Sequence, residues 1–334
     1  METLAFLQTS WFVLIGVLLA GYAILDGFDL GAGSLLPFLA GDDEEKLVVF
    51  NSIWPFWDGN EVWLVTGGAA LFAAFPHAYA TVFSGFYLAF MLVLFALIFR
   101  AVSMEFWYYD EKRRGLWSAA FVVGSLLPSL LYGVALGNVM VGIPLAESMD
   151  FTGNFFTLLR PYPLAIGLLG LSAILLQGVT FISMKTDGAV QNRARSLFGR
   201  VWGLFIAALA LSFVATVVYM PESLSSPSIW ISAAVVIAAW LLCRRFASGG
   251  KTGLSFAMSS LAILGLWGIV GATHFPNLVR ATGDASLNIT MYNASSSELT
   301  LKVMLYIALI GMPIVILYTA YVYRVFRGKV MTAK

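Results

Sequence analysis

The chain predicts an all-α polytopic membrane protein, and three observations predict it. Sixty per cent of the 334 residues are hydrophobic and 11% are charged, with a mean hydropathy of +0.87; a soluble domain carries about 25% charge. The apolar residues gather in runs that reach or exceed the roughly 20 residues a bilayer crossing requires. Most charged residues fall in the short gaps between those runs. A soluble enzyme and a large extramembrane domain are thereby excluded. Nineteen Lys and Arg against eighteen Asp and Glu leave a formal charge of +1, no electrostatic footprint for a nucleic acid. The single cysteine, Cys243, excludes an intrachain disulfide and a Cys-ligated zinc or iron–sulfur cluster.

The first apolar run, about 10–38, follows no basic segment and contains no convincing small-residue cleavage site, so it reads as a retained span. The second, 47–75, holds Pro55, which predicts a kink. Phe75, Pro76 and His77 separate it from the third, 79–103. Six more follow at 117–145, 161–184, 199–220, 228–246, 255–276 and 301–325, giving nine spans in a single domain, 1–334, divisible as four, four and one. Basic residues orient the set, because cytoplasmic loops carry the Lys and Arg excess. Nine spans with the N-terminus outside leave only Arg160, Arg280 and Lys302 on the outer side, and the C-terminus is then cytoplasmic. The polar segment from Pro276 to Thr300 contains two Asn-x-Ser/Thr triplets, at 288–290 and 293–295, which read as chance in an Asn- and Ser-rich loop.

Ionisable residues inside spans are costly and mark function by default. Here they are concentrated at the N-terminal end of the chain. The first two spans carry Asp26, Asp29, Asp58 and Glu61, while the cores of spans four to eight carry none. Three-residue spacing gives each pair a shared face, and two antiparallel neighbours can bring all four carboxyls to one seam at one depth. Two readings stay open. The acids form a proton path, since burial and mutual repulsion favour the protonated state, or they form a neutralised cluster in which Arg100 pairs with an acid and Asn60 and Tyr22 satisfy the rest. Gly27 and Gly31 make a small-xxx-small step for close helix packing. Trp54, Trp57 and Trp63 surround the acids as packing or interface aromatics. The two histidines, His77 in a tight turn and His274 at a helix end, do not supply the paired axial imidazoles of a haem buried in a bundle.

Six segments carry a family resemblance: GYAILDGFDLGAG at 21–33, WDGNEVW at 57–63, GGAALFAAFP at 67–76, FSGFY at 83–87, TGNFF at 152–156 and ASSSELTL at 294–301. In this order they resemble subunit II of cytochrome bd-type quinol oxidases. The resemblance implies a complex of the bacterial cytoplasmic membrane that oxidises quinol and reduces dioxygen to water, electrogenic without pumping. It implies that two b-type haems and one d-type or b-type haem are held by subunit I, with this chain free of haem. It also implies a role for Asp58 in delivering cytoplasmic protons toward the partner's oxygen-reducing haem. Asp26, Asp29 and Glu61 would then support that path with Arg100 as charge partner, and Trp63 would stand beside a lateral oxygen entry. A structural quinone and a small accessory subunit are further expectations from the resemblance. Two other functions compete with a proton path: a purely structural scaffold for subunit I, and a self-sufficient proton-coupled transporter, which the buried acids alone would allow.

Overall fold

The computed structural model describes residues 2–331. Twelve α-helices follow one another: α1 (Glu2–Ser34), α2 (Leu36–Leu39), α3 (Asp43–Ile53), α4 (Trp57–Ala74), α5 (Pro76–Gly85), α6 (Tyr87–Tyr109), α7 (Arg114–Val141), α8 (Pro161–Lys185), α9 (Gly188–Tyr219), α10 (Pro227–Ser248), α11 (Thr252–His274) and α12 (Glu298–Val325). Among the described residues, eight helices are long and apolar enough to cross a membrane: α1 and α6 to α12. The protein is therefore a multi-pass membrane protein. The ends are set by ordinary local chemistry. Pro161 opens α8 and Pro227 opens α10, where a missing N–H costs nothing. Asp42 caps α3 by accepting from the Glu45 amide at 2.9 Å, and Ser297 caps α12 by accepting from the Thr300 amide at 3.3 Å.

The expected second span is not one helix. It is broken at Trp54–Phe56 into α3 and α4, because Pro55 cannot continue the i to i−4 hydrogen-bond ladder. What remains above the break, Trp57–Ala74, carries Asp58 and Glu61 within its first five residues. The third span also begins differently. A short α5 precedes Phe86, and α6 then runs on to Tyr109 rather than ending near 103. Arg100 is consequently well inside its helix and fully buried, where the sequence placed it near the helix end.

α1 runs through the middle of the bundle, against α4, α7, α8 and α11. Its closest approach is to α8, where Gly31 and Gly178 face each other. A Cβ on Gly31 would strike the Ile174 carbonyl and the Gly178 backbone, and one on Gly178 would strike Gly31. Two apolar clusters fill the interior. One lies toward the end where α12 finishes, the tail end, and contains Phe28, Phe50, Trp107, Phe121 and Phe181. The other, toward the opposite head end, contains Trp11, Ile15, Phe75, Phe86 and Ile289. The segment 276–300 closes the head end as ordered structure. β1 (Asn277–Val279) pairs antiparallel with β2 (Ile289–Thr290), the Trp11 indole donates to the Leu301 carbonyl at 2.9 Å, and the Ser296 amide donates to that of Ala74 at 2.8 Å. The side chains of Asn288 and Asn293 are spent inside this loop, each accepting from a backbone amide at 2.8 Å. α10 lies along α11, and the Trp202 and Trp240 rings clasp α9 to α10. They stack at 3.9 Å, and each indole donates to the other's carbonyl, at 2.9 and 3.1 Å. Cys243, on α10, is buried with its Sγ 3.4 Å from the Ser255 hydroxyl of α11.

Candidate functional site

Polar residues of α1, α4, α6 and α12 meet near the tail-end apolar cluster. Asp26 and Asp29, three residues apart on α1, are fully buried. From α6, the Arg100 Nη1 donates to Asp26 Oδ1 at 3.2 Å and to Glu61 Oε1 of α4 at 3.0 Å. One guanidinium therefore ties three helices together. Asp29 is held by a different residue. The Asn60 amide donates to its Oδ2 at 2.7 Å and to the Leu25 carbonyl at 3.2 Å, while the Tyr323 hydroxyl of α12 donates to Asn60 Oδ1 at 3.2 Å. Beside the cluster the hydroxyls of Tyr22 and Tyr132 are hydrogen-bonded at 3.1 Å with their rings edge to face.

The arrangement is unevenly satisfied. Asp26 Oδ2, Asp29 Oδ1, and the Nε and Nη2 of Arg100 are buried with no hydrogen-bond partner among the described residues. Asp26 and Glu61 share one guanidinium, and Asp29 is held by the neutral Asn60 amide. Unpaired charge in a low-dielectric interior is costly, so such a group of acids is suited to hold and exchange protons as well as to bind helices together.

Asp58 does not join them. It is exposed, and it makes no hydrogen bond or ion pair among the described residues. The helix explains this. α4 buries a narrow stripe of Asn60, Gly67, Ala70 and Ala74 against its neighbours, and Asp58 precedes Asn60 by two residues, about 200° round the axis. Glu61 lies about 100° from Asn60 on the same side, about 60° nearer to it than Asp58, and so is close enough to the seam to reach Arg100. Thus the four expected acids divide into three inside and one outside. Trp63 is half-buried with its ring laid over Gly21 of α1. Trp54 is also half-buried, edge-on to Tyr108, beside a groove of about 360 Å³ that Asn51 and Glu105 share. Sequence reasoning missed Tyr323 and Tyr132. Each is a hydroxyl set in an otherwise apolar span, a signal that a search for charged residues passes over.

Neither histidine occupies the middle of a helix. His77 is the exposed second residue of α5, and His274 is the buried last residue of α11. Among the described residues no group of three His, Cys, Asp or Glu side chains is placed to hold a metal ion. With His77 exposed, the two histidines do not make a buried axial pair.

Comparison with known proteins bears on the whole chain. It is 35% identical over 360 aligned positions to cytochrome bd-I ubiquinol oxidase subunit 2 of Escherichia coli K12, which covers 97% of this chain and 95% of that one. It is 34% identical to cytochrome bd ubiquinol oxidase subunit 2 of Bacillus subtilis, with 98% of both chains covered. Its fold matches a chain in the structure of bd oxidase from Geobacillus thermodenitrificans with a TM-score of 0.81 at 18% identity, over 96% of this chain and 98% of that chain. A family model described as cytochrome bd terminal oxidase subunit II matches residues 7–326. The chain belongs to the cytochrome bd terminal oxidase subunit II family.

Proposed function

We propose that this chain is the haem-free second subunit of a quinol-oxidising, dioxygen-reducing complex in the bacterial cytoplasmic membrane, and that Asp58 passes protons to a haem-bearing subunit I. The observation that carries the reading is where Asp58 stands. It lies on an exposed face of α4 with Val62, Val65 and Phe72, beside α12, of which only Leu301 is buried. A carboxylate turned to lipid in the first turn of a crossing helix is costly, and a protein partner over this face removes that cost. α4 is then the ninth crossing of a single domain, with the N-terminus outside and the C-terminus cytoplasmic, as the distribution of Lys and Arg supports. The partner's haems supply electron transfer to dioxygen. This chain's residues manage protons: Arg100 offsets Asp26 and Glu61, Asn60 and Tyr323 hold Asp29, and Asp58 faces the joint. Trp63, on the same short helix, borders the lateral route proposed for oxygen.

The test is Asp58→Asn in the assembled complex, reading quinol-driven oxygen uptake and proton uptake per haem. Loss of a proton-transfer group predicts a fall of roughly a hundredfold at unchanged haem content; full turnover and proton uptake would remove Asp58 from the path. A scaffold reading is favoured by the bare α12. It predicts less assembled complex but normal turnover in each complex that forms.

A further inference from the structure

At the head end, away from the acid cluster, a cavity of about 640 Å³ opens between the turn joining α9 to α10 and the last turns of α11, within the size range of specific small-molecule sites. Its walls hold one cation and one anion. The Arg280 Nη1 is 3.5 Å from Glu222 Oε1, and Nη2 donates to the Thr273 carbonyl, so the guanidinium is anchored in place. Its Nε is buried without a partner. Glu222 is two-thirds exposed and free to turn toward a second cation. Ser226 and Ser228, hydrogen-bonded to each other at 2.8 Å, add hydroxyls to the rim. Apolar side chains adjoin this polar cup: Phe275 in its lining, Val218 and Tyr219 at the end of α9, and Trp230 and Ile231 at the start of α10, all exposed. Tyr and Trp at helix ends mark the level of lipid headgroups.

The geometry points to a site for a phospholipid whose headgroup carries both a phosphate and a primary ammonium, a phosphatidylethanolamine. The phosphate takes the Arg280 donors as a charge-assisted pair, and the ammonium, two carbons away, donates to Glu222 and the serine hydroxyls. The acyl chains run down the exposed sides of α9 and α10. A wholly anionic lipid would meet Glu222 as a like charge, and a choline headgroup has no N–H to donate. The assignment needs only that these helices cross a bilayer; it is independent of the proton-path reading.

The experiment takes the full chain, purified in mild detergent with whatever it assembles with and stripped of lipid. Native mass spectrometry then follows binding of phosphatidylethanolamine, phosphatidylcholine and phosphatidylglycerol with identical acyl chains. The expected result is about tenfold tighter retention of the ethanolamine lipid, the scale of one charge-assisted hydrogen bond. Glu222→Gln should abolish that preference, and Arg280→Gln should weaken retention of all three. The preference is a ratio within one preparation, so a lower yield of a variant does not blur it. Equal retention of the three lipids, or a preference that survives Glu222→Gln, overturns the site. Displacement by free phosphoethanolamine as effective as by the whole lipid would also overturn it, in favour of a site for a soluble phosphate.

Discussion

Arg100 is the residue on which the interior depends most. It is fully buried, touches carboxylates from two other helices and has two nitrogens without partners. Arg100→Gln leaves Asp26 and Glu61 without their cation, and stranding buried charge in this way costs about 3–5 kcal/mol. Thermal unfolding in detergent should show the loss, and combining Arg100→Gln with Asp26→Asn should recover part of it, because the strongest unpaired charge is then gone. Equal destabilisation by the single and the double variant would mean that Arg100 acts by packing alone. The pairing of Arg100 with the acids was readable from the sequence, since a lone cation among acids in apolar spans has few other partners. The separation of Asp58 from them was not. Three-residue spacing says that two side chains lie within 60° of each other; which edge of that sector meets the neighbouring helix depends on how α4 rotates, and its stripe of Asn60, Gly67, Ala70 and Ala74 decides that.

At the level of elements, the crossing of α1 and α8 rests on glycine against glycine. Gly178→Val would force the backbones apart at Gly31, and overpacking of this kind typically costs about 1–3 kcal/mol. Gly203 on α9 has nothing within reach of an added Cβ, so Gly203→Ala should be neutral or stabilise the helix by up to about 1 kcal/mol. The pair of variants, melted side by side, separates a packing requirement from a general dislike of substitution. α3 is governed by charge instead. A hydrogen bond from Lys46 at 2.9 Å, and then one from Arg114 at 3.2 Å, hold the carboxyl of Asp43 below its ordinary range. A depressed folded-state value means that this contribution is complete above the unfolded pKa of about 3.9 and fades as pH falls through the folded value. Hydrogen exchange of the α3 amides should be flat from pH 7 to 5, after correction for the intrinsic rate, and gain protection loss only below about pH 4. Most helices were legible because 20-residue apolar runs admit little else in lipid. The α3–α4 break was expected only as a kink at Pro55. Local sequence marks the proline but not how far the chain turns there, which the packing of Phe50, Ile53 and Phe56 against Phe28 and Phe121 determines.

Across the whole molecule, burial is lopsided. α8 is embedded on nearly every side, whereas α12 exposes Ile307, Ile310, Ile314, Leu317 and Tyr321 along its length. Exposed apolar surface says nothing by itself in a membrane; under the proposed function it is the exposed carboxylate of Asp58 beside it that assigns this face to a protein partner. A lipid-soluble carbene probe should label α4 and α12 several-fold less in the intact complex than in the chain expressed alone, while labelling of α10 stays constant. Unchanged labelling of α12 would place the partner elsewhere. This face was invisible in the sequence, because a lipid-facing and a partner-facing helix share one composition. One small feature makes such mapping practical. Cys243 is the only thiol in the chain and is enclosed between α10 and α11, so a polar maleimide cannot reach it while the protein is folded. The native protein is thus already a silent background for site-directed labelling: a cysteine placed on α4, α12 or the rim of the head-end cavity reports on that position without first engineering the chain to be thiol-free.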